Sequence, residues 1–165
     1  MRKIDPIIFI LIGLTVIVFA GVIIAGFNIQ EKPVKQYKTE ENSRPQMEIL
    51  ETQFDFGKMA LTDIKTKEIE IKNIGGQPLI ISKLFTSCDC TFAKLKVGNQ
   101  ESPRFSMWKN FSWRMEIPPG GSGILSITYE PKIMPVQGKI KRDVVFSTND
   151  PKNPSVNITF SAEVL

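Results

Sequence analysis

The chain has 165 residues and a formal net charge of +4, enough length for one ordinary domain and an appendage. Nucleic-acid-binding proteins normally concentrate basic residues on one face. Residues 1–46 contain six Lys or Arg and four Asp or Glu, and residues 47–165 contain fifteen and thirteen, so neither part has a large excess of basic residues. The composition therefore argues against a nucleic-acid-binding protein, and the absence of histidine removes the commonest catalytic base.

An uncharged apolar segment follows a short N-terminal tail, residues 1–6. Residues 7–27 (IIFILIGLTVIVFAGVIIAGF) contain no charged side chain and a single hydroxyl, that of Thr15. A helix of this length rises about 31 Å, close to the roughly 30 Å of a bilayer's hydrocarbon core. We therefore predict a single transmembrane helix that is retained as an anchor. A cleaved signal peptide is the alternative, although its apolar region is usually shorter.

Residues 28–46 contain two prolines, many charges and three apolar side chains, a composition typical of a flexible linker. Basic residues lie on both sides of the apolar segment in similar numbers, so the positive-inside rule favours neither orientation strongly. We predict that the N-terminus is cytoplasmic and that the following domain lies outside, in the periplasm or on the cell surface. This orientation depends partly on the family resemblance described below.

From residue 47 onward the apolar residues recur with a period of two, the pattern of half-buried strands. The clearest segment is 156–164, in which valine, isoleucine, phenylalanine and alanine alternate with polar residues. Glycine- and proline-rich turns separate such segments, for example 73–78 and 118–121. No segment after residue 28 keeps a helical period of 3.6. We predict an all-β, immunoglobulin-like β-sandwich of about seven short strands over residues 47–165.

Residues 79–85 (LIISKLF) are almost continuously apolar and lack clean alternation. Such a run is typical of a strand covered on both faces or in the middle of a sheet. We therefore predict that this segment is the central strand of the sandwich.

The two cysteines of the chain, Cys88 and Cys90, follow this strand. On an extended strand their Cα atoms would lie about 6.5 Å apart, so a disulfide or a shared ion requires a turn or bulge at Asp89. A redox centre would lack the usual activating groups, and a closed tetrahedral metal site would lack ligands. Cu(I) accepts two or three sulfur ligands, with Met107 as a third. A copper-binding or thiol-redox module is therefore the alternative to a structural role.

The long insertion over residues 98–115 is rich in large apolar side chains. Long loops often carry function, and exposed apolar clusters often bind proteins. The same aromatic side chains could instead cap an open edge of the sandwich. If the domain binds a protein partner, we expect the contact to involve Phe105, Trp108, Phe111 and Trp113.

Several short motifs resemble, in order, a known bacterial family. They are FDFG at 54–57, KNIGGQPL at 72–79, SCDCT at 87–91, PPGGSG at 118–123, YEP at 129–131 and STNDPKNP at 147–154. The family is catalogued as domain of unknown function 1573 and is similar to immunoglobulin-like domains of the abnormal-spindle, hydin and major sperm protein group. The resemblance implies an immunoglobulin-like fold in an exported or membrane-anchored protein, and no reaction. Related sequences often carry histidines in the insertion; this chain has MWKNF there instead.

The sequence contains no phosphate-binding glycine loop, nucleophile elbow or paired catalytic carboxylates. We therefore predict a non-catalytic, membrane-anchored extracytoplasmic domain for protein–protein interaction, adhesion or envelope scaffolding. The expected partner is a protein of the cell envelope, with no cofactor, nucleic acid or small-molecule substrate.

Overall fold

The computed structural model describes residues 6–27, 33–108 and 112–165. The chain forms two compact units, Met1–Pro33 and Val34–Leu165. In the first unit, helix α1 (Pro6–Phe27) spans the predicted residues 7–27, and the side chains described between residues 10 and 23 are exposed. Over the described residues, no helix is both long enough and apolar enough to cross a membrane.

The second unit is an all-β sandwich with one short 3₁₀ helix, Pro131–Ile133. Its ten strands are β1 (Met47–Ile49), β2 (Gln53–Met59), β3 (Lys65–Asn73), β4 (Leu79–Thr86), β5 (Thr91–Val97), β6 (Gln100–Glu101), β7 (Arg114–Ile117), β8 (Ser122–Tyr129), β9 (Gly138–Thr148) and β10 (Ser155–Val164).

The strands form two five-stranded sheets. The first sheet has the order β1-β3-β8-β5-β6, and the second has the order β2-β10-β9-β4-β7. Neighbouring strands are antiparallel, except that β2 runs parallel to β10. The largest fully buried side chains belong to both sheets and include Tyr129, Phe146, Phe160, Leu79, Ile71 and Leu125. One apolar core therefore lies between the two sheets.

The predicted β-sandwich is confirmed, with ten strands instead of about seven. In β3 and β10 the apolar positions are buried and the intervening polar positions are more exposed, as the alternation predicts. β1, β6 and β7 have three, two and four residues. Segments this short carry too few residues for a period of two to be recognised, which explains the difference in number.

Residues 79–85 were predicted to form the central strand, either covered on both faces or in the middle of a sheet; they form part of the interior strand β4, which is neither the middle strand nor covered on both faces. β4 is an interior strand, but β9 occupies the middle of its sheet and β7 lies at the edge. Lys83 has a positive φ of 52°, and the pairing with β9 shifts by one residue between Ser82 and Phe85. This bulge changes which residues face the core, so Leu79 and Ile81 are buried before it and Leu84 after it. The bulge accounts for the missing alternation.

The predicted linker, residues 28–46, is too long. Residues 28–32 lie outside the described residues, and residues 34–46 belong to the second unit. Arg44 is only 6% exposed and forms a buried ion pair with Asp150, at 3.1 Å between Nη1 and Oδ1. The segment is held by polar contacts, which a count of apolar side chains does not detect. The folded domain therefore begins before the predicted residue 47.

Candidate functional site

Asp150 is a buried carboxylate at the centre of a hydrogen-bond network, with 1% of its surface exposed. Besides pairing with Arg44, it accepts hydrogen bonds from the backbone N–H groups of Met47 (3.0 Å) and Lys152 (3.1 Å). The side-chain amide of Asn153 donates a fourth at 2.8 Å. Each carboxylate oxygen therefore has two partners, and the network joins the start of β1 to the turn between β9 and β10.

Asn73 organises the neighbouring turns at the same end of the sandwich. Its amide nitrogen donates to the carbonyls of Gln77 (2.8 Å) and Ile117 (3.0 Å), and its oxygen accepts from the N–H groups of Gly75 and Gln46. The motifs at 72–79 and 147–154 thus supply structural hydrogen bonds. The sequence suggested only turns here, because an Asn or Asp beside Gly or Pro is the ordinary signature of a turn.

A disulfide joins Cys88 and Cys90 in the turn between β4 and β5, with their Cα atoms 5.3 Å apart. The Thr86 hydroxyl donates to the carbonyls of Cys88 (2.8 Å) and Thr91 (2.9 Å). The Thr91 hydroxyl lies 3.2 Å from Cys88 Sγ and is the donor, since a disulfide sulfur carries no hydrogen. The turn leads the chain from one sheet into the other.

The bridged state limits the chemistry of this pair. Cys88 and Cys90 are both buried, and neither sulfur is a thiolate that could bind Cu(I). In the described part of the chain, no three His, Cys, Asp or Glu residues are grouped so that they could hold a metal ion. Met107, the predicted third sulfur ligand, is an exposed residue of the insertion.

Phe105, predicted to contact a partner, is instead part of the core. It is 5% exposed and forms two backbone hydrogen bonds of 2.9 Å with Ala93 in β5. Its ring packs 4.7 Å from that of Trp113, measured between ring centroids, and Trp113 is partly buried against the core. Phe105 and Trp113 thus pack inward and leave little surface for a partner.

Trp108 is the exposed aromatic residue of this segment. Its side chain is 75% exposed, beside Met107 at 42%. The segment before it is fixed: the Ser106 carbonyl accepts a 3.0 Å hydrogen bond from the Thr86 N–H, and Arg104 stacks 3.3 Å above the Phe92 ring. Phe111, the remaining predicted contact residue, lies outside the described residues. Trp108 therefore follows a segment that is hydrogen bonded to β4, and Trp108 itself is exposed.

Comparisons with known proteins agree with this fold. A family model described as HYDIN/CFA65/VesB-like, Ig-like domain matches residues 45–163. A search of curated proteins gave no match.

The chain is similar to several solved structures. A crystal structure of a protein of unknown function from Porphyromonas gingivalis W83 is 26% identical, with a TM-score of 0.54 over 74% of this chain and 48% of that one. This chain thus spans about half of that protein. A family 123 glycoside hydrolase from Clostridium perfringens is 12% identical, with a TM-score of 0.50 over 69% and 23%. The PapD-like domain 7 of human CEP192 is 15% identical, with a TM-score of 0.49 over 82% and 98%.

Proposed function

The chain belongs to the HYDIN/CFA65/VesB-like Ig-like domain family, and from this we propose that it is a non-catalytic protein-binding module. In this proposal residues 7–27 anchor the chain in a membrane and the domain lies outside the cytoplasm. The partner is a protein of the cell envelope, and the domain serves adhesion, scaffolding or assembly there.

The exposure of Trp108 is the observation that carries the proposal. Tryptophan is enriched among the residues that dominate protein interfaces, because it buries a large rigid surface at little entropic cost. Trp108 is 75% exposed and stands beside Met107, which is also exposed, and adjacent exposed apolar side chains often mark protein-binding surfaces. Ser106, two residues before Trp108, is hydrogen bonded to β4, which limits the backbone freedom on that side of Trp108.

Two features support the anchor. The segment 7–27 has no charged residue. The side chains described along α1 are apolar and exposed on every side, as at Ile10, Ile17 and Phe19. A helix that is apolar all round is unfavourable in water and favourable in hydrocarbon. The basic residues on both sides of the segment leave the orientation to other evidence.

The disulfide supports an oxidising compartment, because structural disulfides persist outside the cytoplasm. We expect no free thiol when the protein is alkylated in intact cells, denatured without reductant and then assayed, and two thiols after reduction. A parallel sample kept in the cytoplasm by removal of residues 1–27 serves as the control for alkylation. Two reactive thiols in the unreduced full chain would contradict the proposed compartment.

Site-specific photo-crosslinking in intact membranes tests the binding function. A photoreactive amino acid at position 108 should give one dominant crosslinked protein, because this side chain is expected at the centre of the contact. The same probe at Lys96, an exposed residue on the outer face of β5, is the matched control. Absence of a crosslinked protein at position 108, or equal crosslinking at both positions, would contradict the proposal.

A further inference from the structure

Half of one edge of β9 has no neighbouring strand. β9 runs from Gly138 to Thr148, and its residues Gly138–Ser147 pair with β10. Its pairing with β4 covers only the part from Val144 to Thr148. β4 ends there because the chain turns at the disulfide and crosses into the other sheet. The residues from Gly138 to Arg142 therefore form an open half-edge.

The backbone groups of Lys139 and Lys141 point toward the open side. The Asp143 carbonyl accepts from the Ser87 N–H at 2.9 Å, and the Asp143 N–H donates to the Ser87 hydroxyl at 2.9 Å. Asp143 therefore presents its backbone to the β4 side, and in a strand every second residue does the same. Within the described chain, Arg142 Nη1 bonds the Lys141 carbonyl at 3.0 Å, and no strand pairs with the other groups.

The outer edge of β2, in contrast, is blocked by side chains. The Lys65 ammonium group donates to the carbonyls of Phe56 (2.7 Å) and Lys58 (2.9 Å). The Asp55 carboxylate accepts from the Gly57 N–H at 2.9 Å. The remaining outer strands, β1, β6 and β7, have at most four residues. Natural sheets protect their edges by short strands and side-chain caps of this kind. β3 also has an uncovered edge, because β1 pairs only with Ile71–Asn73, and the half-edge of β9 has one cap, Arg142 on the Lys141 carbonyl.

The charged side chains of the half-edge itself are basic. Residues 131–142 contain four basic side chains and no acidic one: Lys132, Lys139, Lys141 and Arg142. Lys139 and Lys141 are exposed, and neither forms an ion pair in the described chain. The nearest opposite charge in the β10 register is Glu163, which faces Lys139. Asp143 follows Arg142 on β9, so the half-edge keeps a small net positive charge, which favours an acidic strand over a basic one.

Two buried polar atoms beside the half-edge have no hydrogen-bond partner in the described chain: Arg142 Nε and the Tyr129 hydroxyl. Burial raises the pKa of Tyr129, and the positive charge of Arg142 acts against that rise. An unsatisfied guanidinium nitrogen is costly, and a carboxylate is its strongest partner. Arg142 is thus available to an anionic group that reaches this end of β9.

We propose that the half-edge from Gly138 to Arg142 binds an extended acidic segment of a partner protein as an added strand. One carboxylate of the segment binds the Arg142 guanidinium in place of the Lys141 carbonyl. The segment then pairs antiparallel with β9 through the backbone of Lys139 and Lys141. This inference rests on the proposed protein-binding function and specifies the chemistry of the partner. β-strand addition of this type takes its affinity from main-chain hydrogen bonds and its selectivity from side chains.

A synthetic peptide tests the proposal on the full chain in detergent micelles. The probe is a fluorescent octapeptide of alternating glutamate and valine, and the control peptide alternates lysine and valine. We expect the acidic peptide to bind and the basic one to bind at least tenfold more weakly. Binding should also slow hydrogen exchange of the Lys139 and Lys141 amides at least tenfold, since both amides become hydrogen bonded.

Three variants locate the site. Lys141→Pro removes a donor on the open side without touching the bonds to β10, and Lys141→Glu keeps the donor and reverses the charge. We expect each substitution to weaken the binding of the acidic peptide at least tenfold. Lys96→Glu, the same charge reversal on β5 of the other sheet, should leave this binding unchanged. If Lys141→Pro does not fold, Lys141→Glu and the hydrogen-exchange measurement still show whether the half-edge is the binding site.

Three results would overturn the proposal: no binding of the acidic peptide, equal binding by all variants, or binding without slower exchange at Lys139 and Lys141. In the first two cases, the lysines only protect the edge against aggregation. The outcomes are separate from those of the binding function. A crosslink at position 108 that persists in Lys141→Pro would leave the proposed function intact and remove the added strand. Absence of any crosslink at position 108 would remove the proposed function itself.

Discussion

Replacement of Asp150 by alanine is expected to lower the free energy of unfolding by about 3–5 kcal/mol, because the Arg44 guanidinium is left buried without its counter-charge. The substitution also leaves the N–H groups of Met47 and Lys152 without their acceptor. Domains of this size are stable by about 5–15 kcal/mol, so a large part of the total is at stake. Urea denaturation of the full chain in detergent, followed by tryptophan fluorescence, measures the change.

Glu68→Ala is the matched control for Asp150→Ala. Glu68 is an exposed carboxylate on the outer face of β3 and takes part in no ion pair within the described residues. Its removal should change the free energy of unfolding by no more than about 0.5 kcal/mol. A loss below 1 kcal/mol for Asp150→Ala would mean, by the same scale, that the Arg44 contact contributes little. The folded domain would then begin at β1.

Replacement of Phe105 by alanine is the second large effect. The expected loss is about 3–5 kcal/mol, because a buried aromatic ring is removed from a close-packed core. Trp113 would lose its ring partner at the same time. Thermal or urea denaturation of the full chain reports the change directly.

Trp108→Ala is the matched comparison within the same insertion. Since the Trp108 side chain is mostly exposed, its removal should change the free energy of unfolding by no more than about 0.5 kcal/mol. Phe105→Leu keeps much of the buried volume, so its loss in the free energy of unfolding should lie between those of Trp108→Ala and Phe105→Ala. If Trp108→Ala destabilised the domain as much as Phe105→Ala, Trp108 would belong to the core and the proposed contact surface would be lost.

The alternation of apolar residues was sufficient to predict the sandwich and its longer strands, because β10 buries every second residue throughout and β3 does so from Ile69 onward. It failed at β4. The bulge at Lys83 depends on a positive φ, which leaves no compositional trace when the residue is a lysine instead of a glycine. The irregular alternation was visible in the sequence, but a bulge and burial on both faces give the same pattern.

The aromatic insertion was recognisable from its composition, yet the sequence could not assign its members to core or surface. That assignment depends on where residues 102–106 pair. The segment bonds β5 through Phe105 in one sheet and β4 through Ser106 in the other. Pairing across two sheets is a tertiary property with no local period, so Phe105 and Trp108, three residues apart, could not be distinguished.

The buried ion pair was missed for a similar reason. Arg44 and Asp150 are separated by 106 residues, and each looks ordinary in its own context, one in a charged proline-containing segment and the other in a turn. A single sequence gives no signal that connects them. The disulfide was one of the states considered for Cys88 and Cys90, and the tight turn that it requires is present between β4 and β5.

The proposed function depends on whether Trp108 contributes binding energy to a protein partner. The most direct measurement is the dissociation constant of the crosslinked partner, once purified, for the full chain and for Trp108→Ala, with Lys96→Ala as control. A residue at the centre of an interface contributes about 2 kcal/mol or more, so the constant should rise about 30-fold or more in Trp108→Ala. Equal dissociation constants for the wild-type chain and Trp108→Ala would contradict the proposed role of this residue.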